Sequence, residues 1–188
     1  MRRPGAIVGV LVFAAMVYIV LNTLRTEGPG SRGVPPGSTL PAFAVPLALS
    51  GLDGDANVSD RACTVRGEDI LNVCQLYEEG AVVLAFFIES SDRCDDQLDV
   101  LDRVRERFPD VRFAAVAIKG DRDRLRGIIR EHGWVLPVGY DRDGAVANTY
   151  GVAVCPTITL AERGGEVVRT LLGSQGEREL AAAIRELG

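Results

Sequence analysis

Apolar residues divide most of the chain into short buried runs separated by amphipathic stretches. Two continuous runs, 81–88 and 111–118, are rich in β-branched and aromatic residues and predict central strands that are buried on both faces. The first is followed by a predicted helix that Ser91 or Asp92 can cap, and the second by a predicted helix over 121–132. Strands that alternate with helices in this way are typical of a parallel sheet.

Two further patterns lie at the beginning of this region. Apolar and other residues alternate over 43–47 before the turn signal at 51–55, which predicts an opening hairpin. Residues 63–80 then place Ile70, Leu71, Cys74 and Tyr77 at helical spacing and predict a short helix that ends at Gly80.

The C-terminal part ends in a predicted hairpin and a helix. Residues 157–161 and 166–172 flank Arg-Gly-Gly and predict an antiparallel pair, and a capping box that begins at Ser174 predicts the last helix. The predicted order is therefore β-α-β-α followed by β-β-α. We expect an α/β fold with a central mixed sheet that is flanked by helices, preceded by the N-terminal hairpin.

The N-terminal residues have a different pattern. Residues 5–24 form a nearly continuous apolar run that follows two arginines. Its length is close to the ~20 residues that cross a bilayer as a helix. It predicts a transmembrane signal anchor with residues 1–4 in the cytoplasm. A cleaved signal peptide is the alternative, although the residues after the run contain no convincing small-x-small cleavage site.

The anchor sets the expected organisation and location. Residues 25–39 are rich in Gly, Pro and Ser and predict a flexible linker, and 40–188 form one domain. We expect a single-pass protein of the cell membrane with an extracytoplasmic C-terminal domain.

Composition excludes two classes of function. The chain has 21 basic and 26 acidic residues and a net charge of −5, and the basic residues are scattered among acids, so we expect no nucleic-acid partner. With one histidine and no Cys-rich spacing, the sequence predicts no metal site and no cofactor. Lys119 is the only lysine, and nothing in the sequence gives it a role.

The four cysteines are the candidate chemistry. Export to an oxidising compartment favours disulfide bonds, and an even number of cysteines fits two bridges. The spacing alone leaves all three possible pairings open. Cys94 has Leu98 and Leu101 at helical spacing, which predicts that it points toward the core near the start of its helix.

Three stretches resemble the TlpA/ResA-like (AhpC/TSA, redoxin) family of membrane-anchored thiol-disulfide oxidoreductases in the thioredoxin-like superfamily. They are Leu40-Pro-Ala-Phe43, AVVLAFFIESSDRC at 81–94 and LPVGYDRDGAVANTYGVAVCPTITL at 136–160. The resemblance covers 40–188. It implies a thioredoxin fold with a cis-proline at Pro156 beside the active-site turn.

The chain departs from this family at the active-site motif. The family has Cys-x-x-Cys, whereas here Ser91 takes the first cysteine's place and Cys94 the second's. The resemblance implies that the loop before Pro156 lies beside this turn, so that Cys155 is close enough to pair with Cys94. Ser91 and Pro156 would then contact the substrate.

Cys63 and Cys74 are left for each other in this interpretation. They would close a short loop before the first central strand, and we predict that their bridge is structural.

Three functions fit these residues, and whether the protein is an enzyme stays open. The first is a thiol-disulfide oxidoreductase that acts on protein thiols or disulfides through Cys94 and Cys155. The second is a peroxiredoxin-like thiol peroxidase that uses Cys94, since Ser91-Asp-Arg-Cys94 matches the Thr/Ser-x-x-Cys pattern, although Phe87 replaces its proline. The third is a non-catalytic module with structural disulfides that binds a peptide at the cis-proline groove.

Overall fold

A sheet with helices on both faces forms the body of the protein in the computed structural model, which describes residues 12–18, 32–89 and 91–187. The strands are β1 Ala44–Pro46, β2 Ile70–Asn72, β3 Ala81–Phe87, β4 Val111–Ile118, β5 Val138–Asp141, β6 Thr157–Ala161 and β7 Val167–Leu172. The helices are α1 Val73–Glu79, α2 Asp92–Arg105, α3 Arg122–His132, α4 Ala145–Thr149 and α5 Glu177–Ile184, and a 3-10 turn spans Ala62–Thr64.

The main sheet has the strand order β5-β4-β3-β6-β7. β3 is central and runs parallel to β4, which in turn is parallel to β5. On its other side β3 is antiparallel to β6, and β6 pairs with β7 as the predicted closing hairpin. This confirms the predicted α/β architecture with a mixed sheet. The short edge strand β5 was not predicted.

The alternation of side chains along β3 builds two cores. Val83, Ala85 and Phe87 enter one hydrophobic cluster, which also holds the apolar side chains of α2, α3 and α5. Their neighbours Val82, Leu84 and Phe86 enter the other cluster, against α1, α4 and β1. The helices α1 and α2 therefore pack on opposite faces of the same strand.

The opening segment differs from its prediction. β1 pairs with β2, which lies 24 residues further on, and the predicted hairpin partner contributes one bridge, between Ala44 and Asn57. The helix predicted over 63–80 begins only at Val73. The Asn72 side chain accepts hydrogen bonds from the first backbone N–H groups of α1, and this cap leaves Ile70 and Leu71 to the strand.

The cap of the last helix was also predicted at the wrong residue. The N-cap of α5 is Gly176, whose N–H donates to the Glu179 carboxylate at 2.9 Å, rather than Ser174. The reason is a tertiary contact. The backbone N–H of Gln175 donates to the buried side chain of Gln97 at 2.5 Å, which holds the preceding residues against α2.

The N-terminal predictions fall largely outside the described residues. This applies to the cytoplasmic segment 1–4, to most of the anchor 5–24, and to 25–31 of the linker. Residues 12–18 are helical, and no helix within the described part of the chain is long and apolar enough to cross a membrane.

Part of the predicted linker lies against the domain. Val34 is buried, and its carbonyl accepts a hydrogen bond from the Thr170 hydroxyl at 2.8 Å. The Gly37 N–H donates to the carbonyl of Val167 at 2.7 Å. The packed part of the chain therefore begins before residue 40.

Candidate active site

Cys94 lies in the first turn of α2, directly beyond the end of β3. The N-cap residue Ser91 has extended backbone angles, and its carbonyl accepts hydrogen bonds from Cys94 N–H at 2.8 Å and from Asp95 N–H at 3.2 Å. The Cys94 side chain has no exposed surface and packs in the same cluster as Leu98 and Leu101. This confirms that Cys94 points toward the core.

Cys155 is supplied by the loop between α4 and β6. The peptide bond between Cys155 and Pro156 is cis, as the resemblance implies. Two hydrogen bonds hold this loop: the Thr157 hydroxyl donates to the Val154 carbonyl at 2.6 Å, and the Gly173 N–H donates to the Pro156 carbonyl at 2.9 Å. Cys155 is thus presented by a loop that is tied to the sheet.

The structure brings these two cysteines together in a disulfide bond. Their Cα atoms are 6.1 Å apart, within the range of ordinary disulfides. The bridge spans 61 residues and joins the start of α2 to the cis-proline loop. Cys94 is fully buried whereas Cys155 is half-buried, so Cys155 is the more accessible residue of the pair.

Cys63 and Cys74 form a second disulfide with a Cα separation of 5.3 Å. Cys74 is buried in α1, and the half-buried Cys63 belongs to the 3-10 turn. The two bridges lie on opposite faces of the sheet, because Cys74 packs in one hydrophobic cluster and Cys94 in the other.

A cavity of about 330 Å³ opens beside Cys155. We call it the Cys155 groove; it is lined by Ile88, Ile118, Lys119, Gly144, Ala147, Asn148, Val152, Ala153, Val154 and Cys155. Most of these side chains are apolar, and Ile88 and Val154 are 37% and 43% exposed. The groove can therefore take an apolar group next to the half-buried sulfur.

The residue after Cys94 is a buried acid. Asp95 is only 9% exposed, and its Oδ1 has no hydrogen-bond partner within the described residues. Burial raises the pKa of this carboxyl from 3.8 to about 6. The nearby His132 opposes this rise in pKa, and the neighbouring carboxylates add to it. Below about pH 6, this carboxyl is therefore mostly protonated and adds little negative charge beside Cys94.

Ser91 and Pro156 each lie close in sequence to a cysteine of the bridge. Ser91 is half-buried at the start of α2, and its side chain makes no capping hydrogen bond. Their contact with a substrate stays a prediction.

Lys119 was not among the predicted site residues. The signal that could have found it is positional: the chain's sole lysine follows a buried strand directly, at the edge where β3 also ends.

Comparisons with known proteins agree with this architecture. The chain matches no protein-family model. It is similar to the thiol-disulfide oxidoreductase ResA of Bacillus anthracis, with 21% identity over 96 residues that cover 50% of this chain and 56% of that protein. The ResA of Bacillus cereus strain ATCC 10987 is 20% identical over the same share of each chain. The match therefore spans little more than half of the length of these relatives.

Solved structures extend the likeness to most of the described domain. A secreted Mycobacterium tuberculosis disulfide oxidoreductase homologous to Escherichia coli DsbE superposes with a TM-score of 0.57 at 18% identity, over 63% of this chain and 89% of that one. A thiol:disulfide interchange protein of the thioredoxin family from Chlorobium tepidum superposes with a TM-score of 0.63 at 12% identity, over 81% and 97%. The chain has a thioredoxin-like fold. In this thioredoxin-like domain, Cys155 lines the Cys155 groove, and Cys94 is bonded to it.

Proposed function

We propose that this protein is a thiol-disulfide oxidoreductase in which Cys94 and Cys155 form the redox pair. One observation carries the proposal: a disulfide joins the first turn of α2 to the cis-proline loop, and its half-buried member Cys155 lines an open groove. The similarity to proteins named thiol-disulfide oxidoreductases supports the same chemistry. The pair replaces the two cysteines of a Cys-x-x-Cys turn by one cysteine from the first turn of α2 and one from the cis-proline loop.

The exchange needs only sulfur chemistry. A client thiolate, after losing its proton to water, attacks the Cys155 sulfur; the Cys94–Cys155 bond breaks, and the Cys94 sulfur leaves as a thiolate that takes up a proton. A second client thiolate then attacks the client sulfur of this mixed disulfide and releases the Cys155 thiolate, which is protonated. The client dithiol is oxidised to a disulfide and the protein disulfide is reduced, with two electrons transferred; the reverse sequence reduces a client disulfide.

The loop that carries Cys155 is also suited to hold a client peptide. Within the described residues, the backbone N–H groups of Val154 and Cys155 donate no hydrogen bond. An extended peptide can accept hydrogen bonds from such free donors while its side chains enter the adjacent groove. We also propose that Ser91, at the N-cap of α2, and Pro156, next to Cys155, contact this peptide.

The binding module is the second candidate. The Cys94–Cys155 bridge closes a loop of 61 residues, and a bridge of this span stabilises a fold whether or not it is ever reduced. The peroxidase has less support, because a peroxidatic cysteine must be accessible as a thiolate and Cys94 is fully buried and bonded.

Redox titration with peptide mapping tests the proposal. The oxidised protein is equilibrated with dithiol buffers of graded potential, free thiols are alkylated, and each bridge is quantified by mass spectrometry. We expect the Cys94–Cys155 bridge to be reduced at the milder potential and the Cys63–Cys74 bridge to stay oxidised there. The second bridge is the internal control, since both experience the same buffer.

The outcomes separate the three candidates. If both bridges yield only under strongly reducing conditions, the oxidoreductase is excluded and the binding module is favoured. If Cys94 is instead free and hydrogen peroxide converts it to sulfenic acid, the peroxidase is correct.

A Ser91→Cys variant adds a further check. Reductase activity in the variant but not in the parent would mean that the parent site has lost this chemistry.

We also propose that the domain works outside the cytoplasm, anchored by the apolar run 5–24. Two disulfides suit an oxidising compartment, which supports export. Fractionation and protease accessibility test this. We expect the full chain in the membrane fraction with its domain digestible from outside the cell. A soluble mature chain that begins after about residue 25 would show a cleaved signal instead.

A further inference from the structure

Lys119 has an unusual backbone conformation. Its φ angle is +57°, and within the described residues it is the only non-glycine residue with a positive φ. Such a conformation is unfavourable for a side chain that is neither Gly nor Asn, so the surrounding structure must hold it. Here the Lys119 N–H donates to the carbonyl of Asp141 at 2.9 Å, which fixes the turn after β4.

The lysine side chain lies over a glycine. A Cβ atom at Gly144 would be 2.6 Å from Cε of Lys119, closer than real contacts allow. Because Gly144 has no side chain, the Lys119 stem can pack there and carry its ammonium group along the wall of the Cys155 groove. Backbone and packing thus position this cation at the groove.

The ammonium group has no acidic partner within the described residues. No carboxylate of these residues lies within ion-pair distance of Lys119, although the chain as a whole is acidic. Neither nearby acid forms an ion pair with it. Glu89 packs against Gly120, and its Oε1 accepts a hydrogen bond from the Asp121 N–H at 3.0 Å, while its Oε2 is buried with no hydrogen-bond partner within the described residues. Asp141 accepts from the Val146 and Ala147 N–H groups. Lys119 is therefore a free cation on an apolar wall.

We infer that Lys119 selects clients in which an acidic side chain lies next to the reacting cysteine. This inference rests on the proposed function, since it names the class of peptide that the Cys155 groove accepts. The occupant is an extended segment that places its cysteine at Cys155, an apolar side chain between Ile88 and Val154, and a carboxylate at Lys119. A carboxylate there gains an ion pair, whereas a basic side chain is repelled.

Matched synthetic peptides test the inference. One dithiol peptide carries Glu beside its first cysteine, and its partner carries Gln at that position. A second pair has Ser in place of both cysteines, so that binding is measured without exchange. Binding is followed by calorimetry and exchange by alkylation and mass spectrometry, each at low and high salt, because an exposed ion pair is screened by ions.

We expect the Glu peptides to bind and react about threefold better than the Gln peptides at low salt, as for one exposed ion pair. The preference is lost in Lys119→Gln and retained in Lys119→Arg. Arg130→Gln, which removes the same charge at the far end of α3, is the control and keeps the preference.

Equal binding of the two Ser peptides by the parent overturns the inference, as does a preference that survives Lys119→Gln. The proposed function fails separately. If the parent oxidises neither dithiol peptide but still prefers the Glu form of the Ser pair, the exchange chemistry is wrong and the selectivity of the groove stands.

Discussion

The two disulfides lie on opposite faces of β3 in very different surroundings. The Cys63–Cys74 bridge closes a loop of 11 residues, whereas the Cys94–Cys155 bridge closes one of 61. The first joins two neighbouring elements, the 3-10 turn and α1. The second joins the start of α2 to a loop that follows it by about two fifths of the length of the domain.

Hydrogen bonds connect the same two elements as the first bridge, whereas the elements joined by the second bridge lack such bonds within the described residues. The Asn72 side chain accepts from the N–H groups of Cys74 and Gln75 and donates to the carbonyls of Ala62 and Val65, so it ties α1 to the turn that holds Cys63. In contrast, within the described residues no hydrogen bond joins loop 152–156 to the first turn of α2.

This difference agrees with the proposed division between a structural bridge and a redox-active bridge. Reduction of Cys63–Cys74 would leave the same two elements connected through Asn72. Reduction of Cys94–Cys155 would release the cis-proline loop from α2, so that the redox state can change the groove where a client would bind. The contrast is expected for one bridge that serves the fold and one that serves exchange.

The largest expected effect comes from removing each bridge as a pair. In the chain-entropy treatment, Cys94→Ala with Cys155→Ala lowers the free energy of unfolding by about 4 kcal/mol, and Cys63→Ala with Cys74→Ala lowers it by about 3 kcal/mol. Only the first variant should lose disulfide exchange. Denaturant unfolding and oxidation of a dithiol peptide measure the two quantities. Exchange activity that persists without Cys94 and Cys155 would reverse the assignment of the two bridges.

A smaller effect is expected at the two helix caps. Asn72→Ala removes a capping acceptor and leaves the buried carbonyl of Ala62 and the half-buried carbonyl of Val65 without their donor, so we expect a loss of about 2 kcal/mol in unfolding free energy. Ser91→Ala, at the equivalent position of α2, should cost less than about 0.5 kcal/mol, because Ser91 makes no capping hydrogen bond.

The variant Asn72→Asp separates the two roles of the amide. It keeps the acceptor for the Cys74 N–H but places a carboxylate at a position that is 2% exposed, facing the carbonyl oxygens of Ala62 and Val65, so we expect it to be at least as destabilised as Asn72→Ala at neutral pH. Equal stabilities of Asn72→Ala and Ser91→Ala in urea titrations would contradict the view that hydrogen bonds reinforce only one bridge.

The sequence predicted the central part of the fold because local signals and tertiary packing agree there. The run predicted at 81–88 is buried on both faces over Ala81–Phe87 as β3, with Ile88 exposed just beyond it, and the pattern at 111–118 matches β4. The opening segment was less predictable, because the partner of β1 is set by a pairing across 24 residues and by the cap at Asn72. Neither the long-range pairing nor the cap leaves a periodic signal.

The residues of the candidate site also differ in how far the sequence pattern alone predicts them. The inward direction of Cys94 followed from helical spacing, whereas the proximity of Cys155 was implied by family resemblance alone. Lys119 could not be found from the pattern, because its position depends on its positive φ and on the absence of a side chain at Gly144. The burial of Asp95 was likewise hidden, because it arises from packing of α2 and not from its acidic neighbours in the sequence.

Asp95 gives a smaller expected effect than either disulfide or the Asn72 cap, and it marks a further difference between the two regions. Among the described residues, the buried polar side chain beside the Cys63–Cys74 bridge is the neutral Asn72, whereas Asp95 beside Cys94 is an acid. Burial raises the pKa of Asp95 from 3.8 to about 6, so the folded chain binds this proton more tightly than the unfolded chain. The stability therefore falls as the pH rises from about 4 to about 6, and the penalty is complete at neutral pH.

Asp95→Asn removes the charge while keeping the shape of the side chain. We expect this variant to be more stable than the parent at pH 7 by about 1 kcal/mol, a value reduced from the full linkage because solvent partly screens the carboxylate. The gain should disappear near pH 4, where the parent carboxyl is protonated when folded. Thermal or urea unfolding over this pH range measures it, with the exposed neighbour changed in Asp96→Asn as the control. If the gain in unfolding free energy of Asp95→Asn does not vary with pH, the effect comes from packing and not from charge. The charge of Asp95 would then no longer distinguish the surroundings of the two bridges.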